Sequence, residues 1–391
     1  MHLNYTPEQQ ALREQIRAYI REIMTPELTA ELIETHGGGP LYMEAVRKLG
    51  RDGWLGMGYP KSVGGKEAGP IEQFIFFDEV QACGFPVPIL TLNTVGPMIL
   101  HNANEEQKAF FLPKILRGEC HFSIGYTEPG SGTDLASMRT TARIEGDEFV
   151  IRGQKIWTSL ADHADYIWLA ARTDPDAASH AGISMIIVPA DSPGITMSKI
   201  HAVGDNNTWA VYYDDVRVPV SNLVGKLNGG WKLLTGQLNH ERVALNAVGP
   251  MQRLCRDTAA YAAGVEVGPG AMLIDEPWVQ ANLARVETKL DILELMNVRQ
   301  AWAIKENRLH PADASGIKVF GSELYVEASR ALLEILGAAG VLRTDSAGAA
   351  LAGEIERYYR TSLLLTYGGG TNEIQRDIIA MAGLRFPRAR R

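Results

Sequence analysis

The stretch TTARIEGDEFVIRGQKIWTS, Thr140 to Ser159, alternates β-branched or apolar residues with polar ones on either side of Gly146 and Asp147. A period of two flanking a glycine-containing turn predicts a β-hairpin with Gly146-Asp147 at its tip. Short strand-like runs continue after it in DYIWLAARTD, GISMIIVPAD, GITMSKI and WAVYYDDVRVP. On both sides of this region the periodicity is helical. In TPEQQALREQIRAYIREIM, Thr6 suits an N-cap, Pro7 the first turn and Gln9 the third position of a capping box. Leu12, Ile16, Tyr19, Ile20 and Ile23 then share one face. Further helical segments are predicted around Leu41 to Leu49, Ile71 to Gln81, Leu92 to Leu100 and Asn104 to Leu112. After Gly229-Gly230 the pattern predicts helices over 231–263, 276–307, 311–336 and 346–366, an antiparallel arrangement of four. The predicted fold is α+β and multidomain: an N-terminal helical domain over 1–118, a middle β-barrel-like domain over 119–230, and a C-terminal four-helix bundle over 231–391. Strands do not alternate with helices, which disfavours Rossmann and TIM arrangements.

The 391 residues carry a net charge of −8 and no basic block, so the phosphate neutralisation that nucleic-acid binding needs is missing. No uncharged run is long enough to span a membrane, and the N-terminus lacks a signal-peptide pattern, which points to a cytoplasmic protein. Cys83, Cys120 and Cys255 are odd in number and widely spaced, so neither a disulfide nor a zinc site is expected.

Three short strings bear on chemistry. In YTEPGSGTD, Tyr126 to Asp134, the small and turn-forming residues let backbone amides approach an anion or a flat polar ring, or else simply turn the chain after a strand. In GQKIWTS, Gly153 to Ser159, strand alternation puts Trp157 and Ser159 on one face, although a lone strand tryptophan is ordinarily core. In TYGGGTNEIQRD, Thr366 to Asp377, three glycines precede the start of a helix, where the bare reading is a phosphate-cradling loop.

Together, in this order and with these domains, the strings resemble the acyl-CoA dehydrogenase family across essentially the whole chain. The family's TEPxxGSD appears as Thr127 to Asp134 with Thr133 in place of serine, GxKxWIT as Gly153 to Ser159 with Ser159 where threonine is usual, and GTxxIQR as Gly370 to Arg376. The resemblance implies FAD held between β-domain and bundle, with Tyr126, Thr127, Gly132, Thr133, Trp157, Ser159, Thr371 and Glu373 as cofactor contacts. It implies dehydrogenation of an acyl-CoA to the trans-2-enoyl-CoA. Many members carry the catalytic glutamate immediately before the GT of the last motif. Gly369 stands there, and Gly368 stands where a bulky aromatic is common. A minority class, represented by isovaleryl-CoA dehydrogenase, takes the base from the first bundle helix, and QLNHERVALNAVG supplies Glu241 and Arg242 at that place. Gly369 then retains only its amide, as an oxyanion donor. The same alignment places Thr133, Asn239, Arg242 and Gly370 against the acyl-CoA, with Asn239 where aspartate is common.

Two departures concern the adenosine side of the cofactor. Family homotetramers use an RxxFG segment and a QxxGGxG segment of a neighbouring subunit. Here the first region reads YAAGVEVGPGAMLIDEPW and the second EILGAAG, with Glu334 for the glutamine. The resemblance is therefore to the heteromeric branch that acts on steroid CoA esters, in which a homologous partner subunit gives an α₂β₂ assembly. A homotetramer with a divergent loop is the plain alternative. Electrons are expected to pass to an electron-transfer flavoprotein. An acyl-CoA oxidase, which generally carries an extra C-terminal domain, and a non-catalytic scaffold subunit are the competing functions.

Overall fold

The computed structural model describes residues 4–35, 37–241 and 246–387, with the backbone alone for 237–241. Six helices lead the chain: α1 (Pro7–Ile23), α2 (Pro26–Thr35), α3 (Pro40–Arg51), α4 (Pro70–Ala82), α5 (Gly96–Asn102) and α6 (Glu105–Leu116). The capping box of α1 forms as expected: the Gln9 amide donates to Thr6 Oγ1 at 3.2 Å and the Thr6 amide to Gln9 Oε1 at 3.1 Å. Asn104 and Gln107 make the same reciprocal pair at the start of α6.

Strands follow: β1 (Phe122–Gly125), β2 (Thr141–Glu145), β3 (Glu148–Ser159), β4 (Tyr166–Arg172), β5 (Ile183–Pro189), β6 (Ile195–Ile200), β7 (Thr208–Pro219) and β8 (Leu223–Val224). They form one sheet in the order β6-β7-β3-β2-β4-β5-β8, with β1 beside β4. The β2–β3 hairpin turns at Gly146-Asp147 and pairs Glu145 with Glu148, and Gly146 takes the positive φ of 67° that the tip requires. β4 and β5 are buried almost without interruption, as strands covered on both faces should be.

Helical structure resumes with α7 (Gly230–Glu241), α8 (Gly249–Ala263), α9 (Pro277–Lys305), α10 (Pro311–Leu336), α11 (Glu354–Ser362) and α12 (Asn372–Ile378), with a small β9–β10 pair (Glu266–Gly268 and Ala271–Met272) between α8 and α9. Two expected helices are corrected here. The single helix over 231–263 is broken, and α8 restarts at Gly249-Pro250. Proline lacks an amide hydrogen and disfavours helical geometry in the residue before it, so it opens a helix rather than continuing one. The helix over 346–366 begins only at Glu354. Leu351, Ala352 and Gly353 take φ of 48°, 52° and 71°, left-handed values that a helix cannot contain.

The described chain forms two compact units, residues 24–68 with 87–241, and residues 1–23 and 69–86 with 242–391. The core of the first is built from alternate inward residues of β2 to β7, among them Phe149, Ile151, Ile167, Leu169, Ile186 and Val216. In the second, Leu254, Leu283, Leu290, Leu293, Leu324 and Leu332 of α8, α9 and α10 form the centre. Each such side chain contributes about 1.5–3 kcal/mol by leaving water. Among the described residues no helix is long and apolar enough to cross a membrane, and no cluster of potential ligands could hold a metal.

Candidate functional site

The Tyr126–Asp134 segment leaves β1 and closes on itself: Glu128 and Ser131 exchange backbone hydrogen bonds at 2.9 and 3.1 Å. Ser131 Oγ donates to the Asp134 carbonyl at 2.8 Å, and the Glu128 carboxylate accepts the Arg139 and Thr140 amides at 2.6 and 2.9 Å. This arrangement leaves Gly132 and Thr133 exposed and Thr127 half-buried. Tyr126 is buried, and its hydroxyl accepts the Trp168 indole N–H at 3.0 Å.

β3 is joined to this loop. The Ile156 amide donates to the Thr127 carbonyl at 2.8 Å. One residue earlier, Lys155 is completely buried, and its Nζ donates to Glu128 Oε1 at 2.8 Å and to the Tyr126 carbonyl at 3.0 Å. Burial pulls the Lys155 ammonium down to about 8, against the opposing pull of Glu128. Burial pushes the Glu128 carboxyl up, but Lys155 and the bonds from Arg139 and Thr140 outweigh it and hold it below the usual carboxylate range.

Trp157 is not core. Its side chain is 53% exposed and its φ is +59°. Pairing with β7 explains why: Lys155 faces Val211 and Thr158 faces Trp209, so three steps on β3 oppose two on β7. This is a β-bulge with tryptophan in the left-handed position that glycine ordinarily takes. The expectation that simple alternation sets the face of Trp157 is corrected by this bulge. A bulky residue there costs on the order of 1–3 kcal/mol and persists only where surrounding structure enforces it. Ser159, two residues on, is half-buried, and its carbonyl accepts from Ser123 Oγ at 2.9 Å. Trp157 thus presents an exposed indole one residue after the strand's hydrogen bond to the Thr127 loop, whose Gly132-Thr133 segment is exposed as well.

The glycine loop lies in the second unit. Gly369 and Gly370 have φ of 66° and 95°, left-handed values that favour glycine, and a Cβ at Gly370 would require the end of the Gln375 side chain, 2.7 Å away, to shift. Lys318 of α10, almost wholly buried, fixes the loop. Its Nζ donates to the Gly370 carbonyl at 2.8 Å, the Thr366 carbonyl at 3.2 Å and Asn372 Oδ1 at 2.7 Å. Thr371 caps α12, its hydroxyl accepting the Ile374 amide at 3.3 Å. Glu373 is exposed in the first turn, where its own backbone amide and the Thr371 hydroxyl lower its carboxyl below the usual range.

Glu241 is the last residue of α7, and Asn239 lies in its final turn; their side chains, and the whole of Arg242, fall outside the described residues. Glu334, near the end of α10, is exposed and accepts from Asn282 Nδ2 at 3.2 Å. It lines a groove between α9 and α10 together with Arg285, Lys289, Glu327 and Arg330, so its charge does not stand alone. Sequence reasoning missed Lys155, Glu128 and Lys318 as the residues that hold the loops. The available signal was a lysine inside an otherwise apolar strand or helix, as in QKIW and IKVF.

Comparison with known proteins identifies the family. Profiles described as the acyl-CoA dehydrogenase N-terminal, middle and C-terminal domains match residues 6–119, 123–216 and 228–384. The chain is 50% identical to the acyl-CoA dehydrogenase FadE26 of Mycobacterium tuberculosis, with 100% of each covered. It superposes with TM-score 0.94 on one chain of the ChsE4-ChsE5 complex of the same organism, at 50% identity and with 100% of this chain and of that chain covered. A Tcur3481-Tcur3483 steroid acyl-CoA dehydrogenase also superposes with TM-score 0.94, at 48% identity and full coverage of both. The chain belongs to the acyl-CoA dehydrogenase family of oxidoreductases.

Proposed function

We propose that this chain dehydrogenates the α,β bond of an acyl-CoA thioester in the cytoplasm, giving the trans-2-enoyl-CoA, with a steroid or similarly bulky acyl group as substrate. The observation that carries the flavin assignment is the exposed Trp157 held in a left-handed bulge and joined to the Thr127 loop. FAD, when bound, supplies the acceptor for the hydrogen that leaves the β-carbon with its electron pair. Glu241 takes the α-proton onto its carboxylate. The Gly369 amide donates to the thioester oxygen as negative charge develops there, an effect worth about 3 kcal/mol for a single donor. Asn239 and Arg242 bind the CoA arm, with Thr133 and Gly370 against the acyl-CoA. Tyr126, Thr127, Gly132, Thr133, Trp157, Ser159, Thr371 and Glu373 are the residues assigned to the flavin.

Gly369 has no carboxylate to offer, and any side chain there would add left-handed strain. This supports Glu241 as the base. Gly368 and Gly369 withhold side-chain bulk beside the thioester, which favours a branched or ring-bearing acyl group. The steroid class draws further support from the likeness to the Tcur3481-Tcur3483 steroid enzyme. Glu334 and the absence of an RxxFG string support an assembly in which a homologous partner subunit completes the adenosine side of the FAD site. The likeness to the ChsE4-ChsE5 complex favours the same arrangement. Electrons then pass to an electron-transfer flavoprotein.

Two measurements test this reading. Bound FAD is determined for the chain purified alone and with a co-encoded homologue; full, stable occupancy of the lone chain contradicts the heteromer. Turnover of short, branched, long and steroid CoA esters with an artificial electron acceptor then identifies the acyl class.

A further inference from the structure

We infer that Lys155 and Glu128 are positioning residues that set the spacing between the Thr127 loop and Trp157, and so fix the surface offered to the flavin ring. The inference rests on the flavin reading above and concerns how this chain shapes that surface before anything binds.

Three observations carry it. Polar bonds join the two segments: the Ile156 amide to the Thr127 carbonyl, and Lys155 Nζ to the Tyr126 carbonyl and the Glu128 carboxylate. The bonds fall on or immediately beside the two groups assigned to the flavin, since Tyr126 and Glu128 bracket the half-buried Thr127, while Lys155 and Ile156 precede the exposed Trp157. Finally, the bulge at Trp157 costs energy on its own, so something outside the strand must enforce it. A buried Lys155 Nζ held by two fixed oxygen acceptors does so, because relaxing the bulge would pull it away from Glu128 and leave both groups unpaired in the interior.

Glu128 spreads the effect across the loop. Its carboxylate also accepts the Arg139 and Thr140 amides, so one side chain ties the start of the loop to its return toward β2. Among the described residues, Glu128 is the charged group that bears on Lys155, and Met138 Sδ makes only a weak contact with Nζ, at 4.0 Å.

The experiment uses the full chain, purified with its co-encoded partner where one is needed for solubility, as Lys155→Met and Glu128→Gln variants. Lys155→Met keeps the apolar stem and removes the charge and all donors; Glu128→Gln keeps one acceptor and the shape. Amide hydrogen exchange is read first, without added FAD. The expected result is faster exchange at Ile156, Ser131, Arg139 and Thr140, by tenfold or more in Lys155→Met and less in Glu128→Gln, with β4 and β5 unchanged. FAD is then titrated, following the visible absorption spectrum. The expected result is at least tenfold weaker affinity and an altered spectrum in Lys155→Met, with an intermediate effect in Glu128→Gln. If Lys155→Met fails to fold, the Glu128→Gln comparison stands alone and must still show local loosening and weaker flavin binding. Unchanged exchange at those amides, or loosened exchange with unchanged flavin affinity and spectrum, overturns the inference. Failure of the unaltered protein to bind FAD at all would instead count against the flavin reading.

Discussion

Lys318 Nζ donates to the Gly370 carbonyl at 2.8 Å from a side chain that is only 2% exposed. The loop between α11 and α12 is thus held from beneath by α10, through a group that also reaches Thr366 and Asn372. Lys318→Met preserves the volume of the stem and takes a donor from the Thr366 and Gly370 carbonyls and from Asn372 Oδ1, the last of which keeps Ser322 Oγ. An orphaned buried polar group costs about 1–3 kcal/mol, so the variant is expected to melt several degrees lower and to show faster amide exchange near Gly370. An unaltered melting curve would mean that the loop is held by other contacts.

Trp157→Asn separates stability from binding. Asparagine tolerates the left-handed region far better than tryptophan, and the indole, being half in solvent, gives up little core packing. Apo stability should stay within about 1 kcal/mol of the parent or rise, while flavin affinity falls at least tenfold. Chemical denaturation and flavin titration of the same preparation check both halves. Equal affinity in the two proteins would remove Trp157 from the cofactor surface.

Asp78 predicts a pH dependence of opposite sign to that of most carboxylates. Its Oδ1 accepts the Val248 and Gly249 amides at 2.5 and 2.9 Å, where the chain enters α8. Burial nevertheless raises its carboxyl from 3.8 to about 6, with Glu79 and Glu294 adding to the rise against those two amides. A group whose folded pKa is raised favours the fold fully below the unfolded value, and that contribution is lost as pH climbs through the folded one. The window runs from about pH 4 to 6, and the shift corresponds to about 3 kcal/mol. Asp78→Asn keeps an oxygen for the amides and carries no charge. It should match the parent near pH 4 and exceed it in stability near pH 8, as read by denaturation at both values. A variant less stable at pH 8 would show that the carboxylate caps α8 to net advantage.

Much of the fold is legible in the sequence because it is local. The Gly146-Asp147 hairpin follows from alternation and turn chemistry, and α1 from Thr6, Pro7 and Gln9. The start of α8 was also written in Gly249-Pro250, but continuous apolar periodicity from Trp231 onward masks it. The left-handed run at Leu351 and Ala352 is different, since neither residue favours that conformation and surrounding packing imposes it. The same holds at the site. The Thr127 loop, the Trp157 strand and the glycine loop could be found as strings. The face of Trp157 could not, because one extra residue between Lys155 and Thr158 undoes the alternation. The Lys155–Glu128 and Lys318–Gly370 ties were equally hidden, joining residues 27 and 52 positions apart.

The central claim is that the catalytic carboxylate has moved from the glycine loop to the end of α7. Glu241→Gln removes the base while keeping its shape, and a base of this kind contributes about 10² to 10⁴ in rate. The decisive measurement is the rate of flavin reduction by an accepted acyl-CoA in a single turnover, with FAD content determined on the same sample. The account predicts a fall of that size at unchanged FAD content. Reduction at the parental rate would contradict it and leave this chain a supporting subunit whose base lies elsewhere.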